Sequence, residues 1–405
     1  MYPELIQMLD LLEVDEQRIE AGRRRQAAVW QRQIPDRPPI LLGRSESLQS
    51  AGRVGPQHLR LCEHQLRGGC PVPEYHDFDH YTLYEQFHDP EKMLVESLWD
   101  IIGWARSPGD AQLSLRPNFG VGTIASVFGC SIHCPENDMP WVTERPARES
   151  LLDVQFDGLE ERGLSPRVID FIRFARGALR DFPQIRVFMP DLQGPMNIAF
   201  LLRHQDVFFD MVDEPDWYHR FMEVVCEVFI RLTRRLKDEL GEESGNGYHG
   251  AMYMAAGGVR VVDDVSIMLS PAQYEEFSLP YMRRCLTAFS GGWVHSCGNI
   301  AHQLDFYLHA PEIKGVNFGE PQYYRFEEIL PRFAAADTFC YGGPVREPEE
   351  PADAYLRRAA HCLTGATNTL IFMPRVRGME MIEGDWPEPQ AIVDLWEQFC
   401  EEATG

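Results

Sequence analysis

Short apolar runs alternate with longer amphipathic stretches from residue 185 onward, the rhythm that parallel βα units require. Runs near 186–190, 248–253, 259–264, 292–296, 313–318, 337–342 and 368–373 predict strands. Helices are expected between and after them over 214–240, 271–289, 301–309, 324–334, 351–364 and 388–402. Several apolar runs end in Gly, Pro or Asn, as at Met189-Pro190, Cys297-Gly298-Asn299, Gly342-Gly343-Pro344 and Met373-Pro374. Turns of this kind, at the C-terminal ends of strands, are where an α/β barrel keeps its active site.

The first third reads differently. Residues 3–34 predict a charged amphipathic helix, halted by Pro35-Asp36-Arg37-Pro38-Pro39, and Ile40-Leu41-Leu42 predicts a short strand. Residues 43–80, rich in Gly, Pro and His, predict a long loop or lid, the part of an enzyme where substrate specificity tends to reside. A helix follows over 90–107, then an extended segment over 112–118 leading into Asn118-Phe119-Gly120-Val121-Gly122, then two helices over 151–182 parted at Gly163-Leu164-Ser165-Pro166. With the N-terminal strands the total is eight or nine, enough to close a (β/α)8 TIM barrel. The expected layout is an N-terminal helical and loop elaboration over 1–110 and a barrel over 111–405. An open doubly wound sheet is the alternative, but neither G-x-G-x-x-G nor G-x-x-x-x-G-K occurs where such a sheet carries its phosphate loop.

Composition narrows the functions. A chain of 405 residues with 44% hydrophobic residues can bury a large core. A formal net charge of −24 argues against nucleic acid as a partner, and Arg23-Arg24-Arg25, beside Asp15, Glu16 and Glu20, reads as a solvated helix face. The ten cysteines form no framework, the N-terminus lacks a signal-peptide pattern, and no apolar run approaches the roughly 20 residues a bilayer requires. A cytoplasmic protein with reduced thiols and no membrane partner is expected. Its oligomeric state is open, a homodimer included.

The sharpest local signal is Trp293-Val294-His295-Ser296-Cys297-Gly298-Asn299. Alternation along a strand turns His295 and Cys297 to one side, just before a glycine turn. Imidazole nitrogen and thiolate sulfur are ligands that zinc prefers. A buried cysteine beside a packing histidine is the plain alternative.

The segment 292–300 resembles the H-x-C-G-N stretch of corrinoid-dependent methyltransferases in the uroporphyrinogen decarboxylase superfamily. Gln193-Gly194-Pro195-Met196, followed by the helix with Asp213-Glu214-Pro215, is similar to that family's G-P-[LM] strand end. The stretch from Ser270-Pro271 to Pro280-Tyr281 is similar to its S-P-x-x-[FY]-x-E-F-x-x-P-Y motif, and Cys340-Tyr341-Gly342-Gly343-Pro344 falls where it carries a G-N turn. The resemblance covers about 185–375 and takes in Pro35-Asp36-Arg37-Pro38. It implies an α/β barrel in which zinc, held by the His, the Cys and a later Cys, activates a thiol toward a methyl group on a partner protein's corrinoid. The decarboxylase branch needs an arginine pair, of which Arg67 in Arg67-Gly68-Gly69-Cys70 is at most one member.

Two ligands transfer, His295 and Cys297. The later Cys does not, because Met373-Pro374-Arg375 stands in its place. Cys340 and Glu320 are then candidate ligands near strand ends, while His249 reads as packing. Otherwise metal is absent and the acceptor is a folate, or Arg375 (with Arg377) supplies a fixed positive charge for an anionic substrate, a structural salt bridge being the simpler account. Asp263 and Asp264 would orient His295 or hold a substrate amine, or cap the following helix. Asn118 and Asn317 are expected to line the substrate pocket, with turn formation as the alternative for both. The functions that follow are methyl transfer between a corrinoid protein and a small acceptor (thiol or folate), a metal-free lyase, or a non-catalytic relative.

Overall fold

The computed structural model describes residues 2–42, 81–136, 138–347, 349–363, 365–374 and 386–404. Among them the strands are β1 (Leu113–Leu115), β2 (Ser131–His133), β3 (Trp141–Glu144), β4 (Ile185–Val187), β5 (Gly247–His249), β6 (Met252–Met254), β7 (Val259–Val262), β8 (Gly292–Ser296), β9 (Ile313–Phe318), β10 (Phe339–Gly342) and β11 (Leu370–Phe372). Strands β7 to β11 form a parallel sheet in chain order, and β1 pairs with β4 in parallel. Successive residues of these strands, which point to opposite faces, are nearly all buried, as in parallel strands covered on both sides.

Further hydrogen bonds join the two parallel sets. Ile40 forms a parallel bridge with Phe372, Leu41 N–H donates to the Phe372 carbonyl at 2.7 Å, and Asp110 N–H donates to the Ile40 carbonyl at 2.8 Å just ahead of β1. Followed through these bonds, the segments run β4, β1, Ile40, β11, β10, β9, β8, β7. No ladder joins β4 to β7 among the described residues, but the chain after β4 passes close to β7. A Cβ on Gly194 would stand 2.3 Å from the Val262 carbonyl oxygen. The architecture is mixed α/β around a parallel sheet.

Helices follow the strands as the pattern requires. The helix Pro215–Leu240 buries one face that includes Phe221, Val225, Phe229 and Leu236, and ends at Gly241 in the left-handed region. The helix Pro271–Phe277 opens on a capping box of Ser270 and Gln273.

Three expectations change. The run 248–253 is not one strand but the antiparallel hairpin β5–β6, turned at Gly250 with φ +53°. The expected helix 271–289 is two, Pro271–Phe277 and Leu279–Thr287, because Pro280 lacks the N–H and crowds the carbonyl a turn earlier. The expected helix 3–34 is also two, Pro3–Asp10 and Glu16–Trp30, the second capped by the Asp15 carboxylate accepting from Arg18 N–H at 3.0 Å. Leu5, Trp30 and Ile40 pack in the same buried cluster as Phe372 and Trp396. The segment 43–80, with Arg67, and the residues Arg375 and Arg377 lie outside the described residues. No described helix is long and apolar enough to cross a membrane.

Candidate metal centre

Three donors from two neighbouring strand ends converge: a carboxylate oxygen of Asp264, a ring nitrogen of His295 and the sulfur of Cys297, all within 4.8 Å of one another. The register explains the convergence. Val262 pairs with His295, so both side chains point to one face; Asp263 turns to the opposite face and Asp264 turns back. Cys297, two residues beyond His295, returns to the same face, and its Sγ lies 3.5 Å from His295 Nε2. The Asp264 Oδ1 sits 3.9 Å from His295 Nε2 and accepts the Cys297 backbone N–H at 2.7 Å.

The histidine's tautomer follows from its partners. Asn317 pairs with His295 in the β8–β9 register, and its Nδ2 donates to the Tyr341 carbonyl at 2.7 Å. Its Oδ1 therefore faces His295 Nδ1 at 2.6 Å and accepts that ring N–H. The Nε2 lone pair is left facing Cys297 and Asp264, the arrangement seen in metal-ligating imidazoles. Burial, with the Arg260 charge nearby, lowers the His295 pKa and keeps the ring neutral. Burial, with the Asp264 and Glu320 carboxylates beside it, pushes the Cys297 thiol up to about 12. A nearby cation would reverse that preference.

The turn after Cys297 is locked from behind. Glu320 accepts a short hydrogen bond from Gly298 N–H, and the Tyr324 hydroxyl accepts from Ile300 N–H at 2.8 Å while donating to the Gly298 carbonyl at 3.1 Å. Gly298 has φ +75°, a conformation that favours glycine.

The expected site residues divide accordingly. The structure brings His295 and Cys297 together. It does not bring in Cys340, which is in register with Val316 and, through it, Val294, on the face opposite His295; burial pushes its thiol pKa up. Glu320 holds the Gly298 turn and stands outside the three-donor cluster. Asp263 lies in a closed cage, accepting from Ser266 Oγ, from the Tyr274 hydroxyl at 3.0 Å and from the Tyr307 hydroxyl at 2.8 Å. Burial pushes its carboxyl up to about 6, even with those hydroxyls donating to it. Asp263 is thus a core residue, and Asp264 occupies the place the sequence reading left to Cys340 or Glu320. Asn317 orients the histidine ring, a different use from lining the pocket. Asn118 follows β1, partly buried, with its backbone N–H 3.2 Å from Met93 Sδ. His249 is buried, packed edge-on against Phe188 and Trp293.

A chain of hydrogen bonds that the sequence reading missed runs from Asp264 along the strand end after β4. Asn197 Nδ2 donates to Asp264 Oδ2 at 3.4 Å and to Gln193 Oε1 at 2.8 Å, and Asn197 Oδ1 accepts Val265 N–H at 3.1 Å. Gln193, at φ +65°, donates both its backbone N–H and its Nε2 to Asp191 Oδ1, at 3.2 and 2.7 Å. A non-glycine residue held in the left-handed region costs energy, and such positions cluster at functional sites. Burial alone would raise the Asp191 carboxyl; Arg260 and Arg116, with the Gln193 hydrogen bonds, hold it down at about 2.

No family model and no curated protein matches the sequence. Among solved structures the chain is similar to a methyltransferase from Methanosarcina mazei, with a TM-score of 0.60 and 17% identity, over 95% of this chain and 99% of that one. At that identity the likeness establishes a shared fold.

Proposed function

We propose that the chain is a (β/α)8-barrel methyltransferase that moves a methyl group between a partner protein's corrinoid and a small acceptor, with zinc held by Asp264, His295 and Cys297. The observation that carries this reading is the three-donor cluster itself. Nitrogen, sulfur and carboxylate oxygen are zinc's usual ligands, and three protein ligands with an open fourth position make a catalytic site rather than a structural one. The ring-like order of the parallel segments, β4 through Ile40 to β7, supports the barrel. The full-length likeness to a protein named as a methyltransferase supports the chemistry.

Zinc bound there would act as a Lewis acid that favours the thiolate of an acceptor thiol over the thiol. The protein's own groups prepare for it. Asn317 fixes the ring so that Nε2 presents its lone pair. The Cys297 backbone N–H, by donating to Asp264 Oδ1, holds the carboxylate beside the sulfur. Cys297 must release its proton when it becomes a ligand, which its elevated pKa resists in the absence of a cation. A cytoplasmic setting, which keeps thiols reduced, is part of the same proposal.

Elemental analysis of the purified full chain tests it. One zinc per chain is expected, falling below a tenth of that in His295→Ala and Cys297→Ala. Demethylation of added methylcobalamin by a simple thiol should depend on the zinc-loaded protein. Wild-type protein without zinc after loading, or variants that retain it, would remove the basis of the proposal.

A further inference from the structure

Asp264 reaches the three-donor cluster from just beyond β7 with its side chain 34% exposed, so packing alone does not fix its rotamer. Hydrogen bonds hold it at both oxygens. The Cys297 backbone N–H donates to Oδ1 at 2.7 Å, and Asn197 Nδ2 donates to Oδ2 at 3.4 Å. One bond to one oxygen leaves a carboxylate free to swing about that oxygen; a second bond sets its plane. The first comes from backbone at the end of β8. The second depends on side chains outside the cluster.

A side-chain amide can present either its oxygen or its NH2 group, and here the choice is set from the far end. Asp191, held ionised by Arg260 at 3.3 Å and Arg116 at 3.6 Å, can only accept. Gln193 therefore turns its Nε2 to Asp191 Oδ1 at 2.7 Å and its Oε1 to Asn197. That oxygen requires a donor, so Asn197 turns its Nδ2 to it at 2.8 Å, and the same NH2 group faces Asp264. The oxygen of Asn197 is left to accept Val265 N–H at 3.1 Å, which a flipped amide could not do. Both amides are buried, out of competition from bulk water.

The backbone at Gln193 is an independent observation. Its φ of +65° is one that glycine adopts freely and glutamine adopts at a cost. Asp191 Oδ1 clamps the strained residue by accepting its backbone N–H at 3.2 Å as well as its Nε2. The strain thus coincides with the one side chain that links Asp191 to Asn197.

We infer that Gln193 and Asn197 are positioning residues that turn the Asp264 carboxylate toward His295 and Cys297 before a metal arrives. The inference rests on the reading of Asp264 as a metal ligand. Arg116 and Arg260 serve this relay through Asp191, at its far end. A ligand already in place has less rotamer freedom to lose when it binds, which is how outer partners strengthen a metal site.

Zinc affinity of the full chain, measured by chelator competition for wild type, Gln193→Gly, Asn197→Leu and the double variant, provides the test. Gln193→Gly relieves the backbone strain while removing the relay, so it should bind zinc about tenfold more weakly with a melting temperature within about 3 °C of wild type. A merely structural glutamine would not separate the two. Asn197→Leu, which keeps the bulk and loses the amide, should lose roughly 10- to 100-fold. Because Gln193 acts only through Asn197, the double variant should bind zinc no more weakly than Asn197→Leu alone. The visible bands of the cobalt(II)-substituted protein should change in both single variants, since they report the geometry of the ligands. Wild-type zinc affinity in Gln193→Gly, or losses that multiply in the double variant, overturns the relay. If wild type binds no zinc the metal reading fails, and crystals of metal-free protein decide the relay by themselves. Asp264 in one rotamer in wild type and in several in Gln193→Gly supports it, and the same single rotamer in both overturns it.

Discussion

One amide decides which nitrogen of His295 is available. Asn317 can present its oxygen to Nδ1 only because the Tyr341 carbonyl takes its NH2 group, so the strand β10 backbone sets the tautomer on β8 through a side chain on β9. Asn317→Ala removes the acceptor and frees the ring to rotate or to swap its proton. Outer-shell partners of this kind are worth roughly 10- to 100-fold in metal affinity. Zinc affinity of Asn317→Ala, measured by competition with a chromophoric chelator, should fall by about that factor while the far-ultraviolet circular dichroism stays unchanged; wild-type affinity would show that the hydrogen bond does not matter. His295 and Cys297 were legible because a spacing of two has one meaning on a strand. Asp264 was harder to see, since Asp263 and Asp264 are chemically identical neighbours at a strand end, and which one faces the site depends on where the ladder stops. Cys340 shows the converse: the right chemistry near a strand end, turned to the other face by a single step of register.

At the scale of elements, the site depends on how closely β9 and the turn after it approach the end of β8. Gly319 has no Cβ where one would stand 2.9 Å from Cys297 Sγ and 3.1 Å from Cys297 Cα. Gly319→Ala must therefore move the cysteine. Overpacking of this sort costs about 1–3 kcal/mol of stability, and the zinc affinity should fall further than that loss alone would cause. The contrasting change is Gly177→Ala, in the helix Ser165–Ala178, where a Cβ would meet nothing within 4 Å. It should leave zinc binding intact and the melting temperature equal or higher. Equal zinc affinity in the two variants would mean that the close approach has no bearing on the site. Elements were legible where length and period agreed, as in Pro215–Leu240, predicted over 214–240. They were misread where a local feature overrode an apolar run: Gly250 folds the expected strand 248–253 into a hairpin, and Pro280 divides an expected helix. The Asp191–Gln193–Asn197–Asp264 chain left no periodic trace, because its members meet through side chains of two separate strand ends.

For the molecule as a whole, the question is what holds the N-terminal segment to the sheet. Apolar burial alone would hold it in many registers. Direction comes from Asp110, whose side chain is 2% exposed and accepts from Arg37 Nη1 at 2.6 Å, Arg25 Nη1 at 2.8 Å and Ile40 N–H at 2.9 Å. That one carboxylate fixes the strand position of Ile40, which bridges to β11, at the point where the sequence suggested a boundary between two regions. The C-terminal helix Pro389–Thr404 adds a second tie, Trp396 Nε1 donating to the Pro38 carbonyl at 2.9 Å. Removing one member of a buried ion pair strands its partners, at a cost of about 3–5 kcal/mol. Asp110→Ala leaves Arg37 buried without its carboxylate and Ile40 N–H without an acceptor, so urea unfolding should show a stability loss of about that size. It should also show lower zinc affinity than wild type at temperatures where both are folded, because Ile40 and β11 belong to the same run of parallel segments as β8. A loss below about 1 kcal/mol would mean that residues before 111 dock on the parallel sheet without helping to hold it, and the boundary suggested by the sequence would then be the physical one.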